Sequence, residues 1–505
     1  MPEDSFLYVI DSMVKTCKWF ALQALLFILM PYVWNYEYSA STLVLMLLYT
    51  ALYAVYWNFV PTSKQVRLLW LPYIAYVAMG LVVCCATNGW CSSLWQVILL
   101  PLYGAVCFVG VKLFKRTRKR LRERWRWGGA AMYALLVLFF VVLKGISVAY
   151  MMPSQGDAEA ERADILARRD YLVDKLVTSP QRVMDLMPSF VGEQFQGEWA
   201  LYSCSMLSAA LVNISYNYLD TQADNLEHAR QLIDIVLSPE LRRYDAMRWD
   251  EDPLETLEGD ESHVSYLSHL AWMICNYKEL GGDDRYDELL GRLCEAMNRR
   301  ILGSEGMNLR TYPSELVYVP DMLVAIVALK QYADMNGGKY RSTVLQWVRR
   351  AQREWIDKET GLLVSFLQED GSQILGLPIK GSYSALNCYY LTLIDKDFAQ
   401  KQYAQMKSLF WKGGLIPGVK EYWDRTCHFG FDIDAGPILL ELSPSGTAFF
   451  AGPATFFGDD EIRYDILTTA EIAGHTVVMG AKRHYLLANV ALVGEAIMLA
   501  MRTHL

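Results

Sequence analysis

Two aspartates two residues apart, in Phe431-Asp432-Ile-Asp434-Ala-Gly-Pro437, followed by Glu441, make the densest group of proton-handling side chains in this chain. Ahead of a helix such aspartates project differently, so one can cap while the other faces a cavity. Paired carboxylates divide acid and base roles when their surroundings separate their pKa values. The plain alternative is a tightly packed Gly/Pro turn carrying an N-cap. Any helix running through Glu441 would end or kink at Pro444. His269 lies in an otherwise apolar segment. Its imidazole can pass a proton to or from a hydroxyl near neutrality, or it is a core histidine bonded to one neighbour. Arg425 and His428 suit an anionic group.

More polar residues stand before apolar helical stretches: Glu198, Trp199 and Tyr202; Asp260, Glu261 and His263; Tyr312 and Glu315; Lys380 and Tyr383. Each alone reads as a cap or a solvated surface. As a set they read as one binding pocket. The catalytic candidates are therefore His269, Asp432, Asp434 and Glu315. The substrate-binding candidates are Trp199, Tyr202, Asp260, His263, Tyr266, Tyr312, Lys380, Tyr383, Arg425, His428 and Glu441. There is no C-x-x-C, no Cys/His cluster at zinc spacing, and no Walker, Rossmann, G-x-S-x-G or H-E-x-x-H motif, so neither a metal nor a cofactor is expected.

The elements that must position these residues follow a repeat. A helix ends at a Gly/Asp turn, an aromatic follows, and an amphipathic helix begins: Gly281 to Tyr286, Asn336 to Tyr340, Asp395 to Phe398, Gly458 to Tyr464. Gly accepts the left-handed end of the first helix and Asp caps the next; the aromatic staples the hairpin. Segments 264–280, 316–332, 383–393 and 446–457 are apolar nearly all round, as helices walled in on both sides would be. Their partners, 284–300, 341–355 and 399–411, are charged on one face. The aromatics lie 54, 58 and 66 residues apart, too long for 34-residue helical repeats. About six such hairpins over residues 151–505 predict a closed α/α toroid, with a small β-hairpin inserted at 361–371.

Residues 1–150 are a different kind of polymer. Overall the chain is 53% hydrophobic with mean hydropathy +0.14, but this averages two populations. Residues 1–150 carry 14 Lys+Arg against 5 Asp+Glu, and residues 151–505 carry 33 against 50. The acidic remainder argues against nucleic acid as a partner. Apolar runs long enough to span a bilayer lie at about 18–35, 40–60, 68–87, 94–113 and 128–149. The basic loop from Lys112 to Arg126 is cytoplasmic by the positive-inside rule. The N-terminus is then cytoplasmic and residues 151–505 are extracytoplasmic, in a periplasm or its equivalent. Ten cysteines fall five in each half; Cys275 and Cys294 read as buried core. The fold class is thus all-α: an N-terminal bundle of about five transmembrane helices, then the toroid.

Two stretches resemble the linalool dehydratase/isomerase family: Trp249-Asp-Glu-Asp252 with Tyr266-Leu-Ser-His269-Leu, and Tyr340-Arg341…Trp347…Ile356-Asp357-Lys-Glu359-Thr-Gly361. The likeness covers roughly residues 198–420 and implies an (α/α)6 barrel. It also implies a site of His, Asp, tyrosines and two cysteines that protonates and removes a tertiary hydroxyl. His269 matches the family His, while the cysteine positions fall near Thr311 and Pro320. The expectation is a membrane-anchored lyase or isomerase acting by acid–base elimination, hydration or isomerisation on a hydroxylated, lipidic or isoprenoid-like substrate. The alternatives are an envelope glycan hydrolase or lyase, or a non-catalytic envelope binding or assembly component. A small-molecule, lipid or glycan partner and a homo-oligomer are all compatible with it.

Overall fold

The computed structural model describes residues 148–149, 151–153, 156–187, 193–432, 434–489 and 491–505. The spans expected over 18–149 lie outside these residues but for the last two positions. Among the described residues no helix is long and apolar enough to cross a membrane. Residues Ser147–Leu505 form one unit, mostly helical with small two-strand hairpins.

The helices are, in chain order, α1 Ala158–Leu176, α2 Pro180–Asp185, α3 Glu193–Asn217, α4 Gln222–Val236, α5 Pro239–Trp249, α6 Val264–Glu279 and α7 Asp287–Gly303. There follow α8 Val319–Met335, α9 Arg341–Glu354, α10 Gly381–Ile394, α11 Lys396–Phe410, α12 Pro444–Phe456, α13 Asp460–Gly474 and α14 Leu492–Arg502. Four antiparallel pairs of short strands join them: β1 Val317–Tyr318 with β2 Phe366–Leu367, β3 Trp411–Lys412 with β4 Gly418–Val419, β5 Phe429–Asp432 with β6 Gly436–Leu439, and β7 Thr476–Met479 with β8 Lys482–Tyr485.

Two classes of helix sort by burial. In α6 every residue from Val264 to Tyr277 is buried, and in α8 every residue from Val319 to Leu329. Such helices need protein on all sides. In α9 only Thr343, Val344, Trp347, Val348 and Ala351 are buried, a single stripe at helical spacing. The contacts run in a cycle: α3 packs on α6, α6 on α8, α8 on α10, α10 on α12, α12 on α14, and α14 back on α3. Each member takes an amphipathic partner, with α4 on α3 and α6, α7 on α6 and α8, α9 on α8, α11 on α10, α13 on α12 and α1 on α14.

The last helix, α14, is tied to the first, α1, by buried ions. Arg168 of α1 donates to Asp164 at 3.0 Å, Glu495 of α14 at 2.9 Å and Thr476 at 2.6 Å, while Arg502 of α14 donates to Asp164 at 2.6 Å. Burial alone would raise the Asp164 carboxyl, but Arg168 and Arg502 hold it far below the usual carboxylate range.

The repeat punctuation differs in detail from the expectation. Asp395 does cap its helix, accepting from Phe398 N at 2.9 Å. In two other repeats the aromatic itself is the N-cap residue: Tyr286, and Tyr340 at φ 70°. Their rings pack back on the preceding helix, Tyr286 on Tyr277 and Tyr340 on Tyr332, so packing replaces side-chain capping. The strand at 366–367 pairs with 317–318 and also closes a local turn, Leu367 bridging Gln373 and Gln368 N donating to the Ser372 carbonyl at 2.9 Å. Pro444 starts α12, with Ser443 as cap, because a ring without an N–H costs nothing at the first helical position. Cys204, Cys275, Cys294 and Cys388 are buried free thiols, as expected for the middle pair.

Candidate active site

Along α3, Glu198, Tyr202 and Ser205 fall on one stripe, spaced four and three residues apart. The same spacing aligns Tyr383, Asn387 and Tyr390 on α10. His269 and Trp272 share a face of α6, and Asp321 lies in the first turn of α8, just after Pro320. Helices that are not neighbours in the contact cycle meet through these stripes. Tyr390 of α10 donates to the Tyr202 hydroxyl of α3 at 3.3 Å, and its ring meets Trp272 of α6 at 5.8 Å. The Tyr202 ring lies 4.5 Å from His269. These side chains therefore occupy one shared interior.

The carboxyls there are unusual. Asp321 is buried and accepts from Thr311 Oγ1 at 2.7 Å; burial, and then the charge of Asp434, push its pKa up to about 7. Glu198 keeps some accessible surface, but withdrawal from bulk water and the nearby Asp321 raise it to about 7 as well, against the opposing pull of Tyr312 and Arg248. Its Oε2 has no hydrogen-bond partner among the described residues. The charge of Asp321 resists ionisation of Glu198, and Asp434 does the same to Asp321.

Phenols surround the pair. Burial holds the hydroxyls of Tyr202, Tyr312, Tyr318 and Tyr390 protonated. Tyr318 stacks edge-on to Tyr383 at 5.5 Å, and Tyr383 donates to Asp434 Oδ2 at 2.6 Å. Asp434 sits on the β5–β6 turn; desolvation and Asp432 raise its pKa. Asp432 behaves oppositely. Burial is outweighed by the Lys380 ammonium at 2.5 Å, which lowers it, and its Oδ1 accepts from Asp434 N and Ala435 N. One aspartate thus caps the turn while the other, exposed on that turn, accepts from the buried Tyr383.

His269 is buried, with Nδ1 2.8 Å from Ser205 Oγ and Nε2 unpartnered among the described residues. Burial lowers its pKa to about 3, so it is neutral at physiological pH. That differs from an imidazole titrating near 7, because the apolar stretch that makes His269 conspicuous also removes the water its cation needs.

The interior gathers Tyr202, His269, Tyr312 and Tyr383; Asp434 meets Tyr383 from the exposed β5–β6 turn, beside the Lys380–Asp432 pair. Trp199 is half-buried on α3, and Glu315 is largely exposed, 3.6 Å from Arg248. Other candidates lie elsewhere. Asp260 is fully exposed, 3.5 Å from Arg299. His263, at φ 47°, is locked between Asp245 at 2.5 Å and Glu251 at 3.1 Å. Tyr266 donates to the Val236 carbonyl at 2.9 Å, anchoring α6 to α4. Arg425 stacks on Tyr422 at 3.8 Å, His428 is exposed, and Glu441 pairs with Lys412 at 2.5 Å. Glu441 precedes α12 rather than lying on a helix, so it has no turn of helix to carry it inward.

Sequence reasoning passes over Asp321, Arg248, Tyr318 and Tyr390, and gives Glu198 no chemical role. Val319-Pro320-Asp321 reads as an ordinary helix start, with Pro at the first position and an acid in the first turn. The available signal was an acid opening a helix that is otherwise apolar from Met322 to Leu329. Thr311 and Pro320, near which the resemblance expects cysteines, flank the Asp321 carboxyl: one donates to it and the other precedes it in the chain.

Among the described residues no group of His, Cys, Asp and Glu is arranged to hold a metal ion. No family model matches the chain, and no curated protein is similar to it.

Proposed function

We propose that this chain is a membrane-anchored enzyme whose 151–505 region is an extracytoplasmic (α/α)6 toroid performing acid–base elimination, hydration or isomerisation on a hydroxylated substrate. The cycle of six buried helices with amphipathic partners, the apolar segments of residues 1–150 and the resemblance to linalool dehydratase/isomerase support it. One observation carries the chemistry: Glu198 and Asp321, interacting carboxyls held near neutrality amid buried tyrosines.

Such a pair keeps one member protonated while the other is a base. The acid protonates a substrate hydroxyl, the C–O bond breaks, and water leaves. The base takes a proton from the adjacent carbon, and that C–H pair becomes the new double bond. Hydration runs the same steps backwards, and alternating them at different carbons isomerises the substrate. Positive charge developing at carbon is stabilised by the faces of Tyr202, Tyr318 and Tyr390. Neutral His269 supplies a hydrogen-bonding Nε2 rather than the titrating group. A glycan-cleaving reading draws on the same two acids with Trp199.

The test is untargeted mass spectrometry of lipid and metabolite extract incubated with full-length protein, Glu198→Gln and Asp321→Asn. The expected result is a species gaining or losing one water, or an isomer, produced by the native chain and by neither variant. Chain cleavage with addition of water selects the glycan reading. Turnover undiminished in both variants removes the pair from the mechanism.

A further inference from the structure

We propose that Arg248 binds an oxyanion of the substrate, a carboxylate or a phosphate, at one edge of this site; the proposal rests on the reading of Glu198 given above. Arg248 lies in the last turn of α5, its guanidinium carbon 3.6 Å from the Tyr312 ring centroid and 5.2 Å from that of Phe195. The two rings fix its plane, and its side chain is only 13% exposed. Nη1 is 3.6 Å from Glu315 Oε1, beyond hydrogen-bond reach. Nε and Nη2 are buried without an acceptor among the described residues.

Those two nitrogens share one edge of the guanidinium, and their parallel N–H groups form the fork that grips two oxygens of one anion. The Tyr312 hydroxyl and Glu198 Oε2 neighbour each other near the same guanidinium, and neither reaches hydrogen-bond geometry with a described residue. Buried donors left unpaired are costly, and an oxyanion would satisfy the fork and the phenol together. Ionised, Glu198 would repel that anion; protonated, it becomes a further donor. Binding should therefore carry a proton into the site. Nearby Asp245, Glu315 and Asp321 set the background against which that proton is held.

The experiment is isothermal titration of the full-length protein with hexanoate, hexyl phosphate and 1-hexanol, in two buffers of different ionisation enthalpy. One anion should bind about tenfold or more tighter than hexanol, with net proton uptake near pH 7. Tighter hexanoate identifies a carboxylate, and tighter hexyl phosphate a phosphate. Arg248→Met should erase the preference. Arg248→Lys keeps the charge over Tyr312 but not the fork, and should lose most of the preference while melting like the native chain. Glu198→Gln should abolish proton uptake. Hexanol binding as tightly as both anions, no binding by any probe, or a preference unchanged in Arg248→Lys overturns the proposal. None of these results touches the Glu198–Asp321 mechanism, which stands or falls on its own turnover assay.

Discussion

Two buried charge clusters sit in this domain and are built on opposite terms. Where α1 meets α14, Asp164, Arg168, Glu495 and Arg502 interlock, and Arg168 has an acceptor for each of its three nitrogens. In the interior, Glu198 and Arg248 keep buried atoms without partners among the described residues, and Asp321 accepts from Thr311. The first cluster spends its charge on holding two segments together. The second leaves charge and protons uncommitted, and that is what a site for chemistry requires. Burial alone therefore does not mark function; burial without satisfaction does.

Breaking the first cluster should have the largest effect. Arg168→Met strands Asp164 and Glu495, and should cost about 3–5 kcal/mol in denaturant unfolding. The second cluster should respond with the opposite sign. Glu198 and Asp321 have folded pKa values near 7 against ordinary values of 4.5 and 3.8. Between those limits the folded chain keeps protons that the unfolded chain releases, so stability falls as pH rises from about 4 to 7 and then levels. Asp321→Asn should therefore stabilise the domain at pH 8, on the order of 2 kcal/mol, and change little at pH 4. Melts at both values check this; destabilisation at pH 8 would show Asp321 to be a structural ion like Asp164. Tyr383→Phe should cost about 1 kcal/mol and raise the Asp434 pKa further by removing its donor, read by carboxyl NMR. Asp260→Ala should shift stability by less than about 0.5 kcal/mol, since its ion pair with Arg299 is exposed and loose.

The comparison also separates what was legible in the sequence from what was not. The helix classes were readable because burial on all sides leaves an unbroken apolar text, as in 264–277, whereas one-sided burial leaves the stripe of α9. The convergence of Tyr202, Tyr312 and Tyr383 followed from their places before or early in apolar helices, whereas Asp434 reaches Tyr383 from a strand turn. His263 and Tyr266 share that placement yet serve as anchors, because only coordinates show the Asp245 and Val236 acceptors. Asp321 was hidden by having two readings, since a first-turn acid is ordinary until its helix proves wholly buried. Arg248 belongs to α5, outside the repeat, and no periodicity pointed to it.

The contact of α14 with α3 has a kinetic corollary. Its partners are separated by most of the domain's length, with Asn213 of α3 and the Ala500 carbonyl of α14 287 positions apart. Contacts of such separation demand a large loss of chain freedom before any reward, and they form late. During synthesis the first five buried helices emerge with a raw flank that only the final segment can cover. A ribosome stalled shortly before Leu492 should therefore hold a nascent domain that is helical but readily digested, and release of the last residues should convert it to a resistant form in one step.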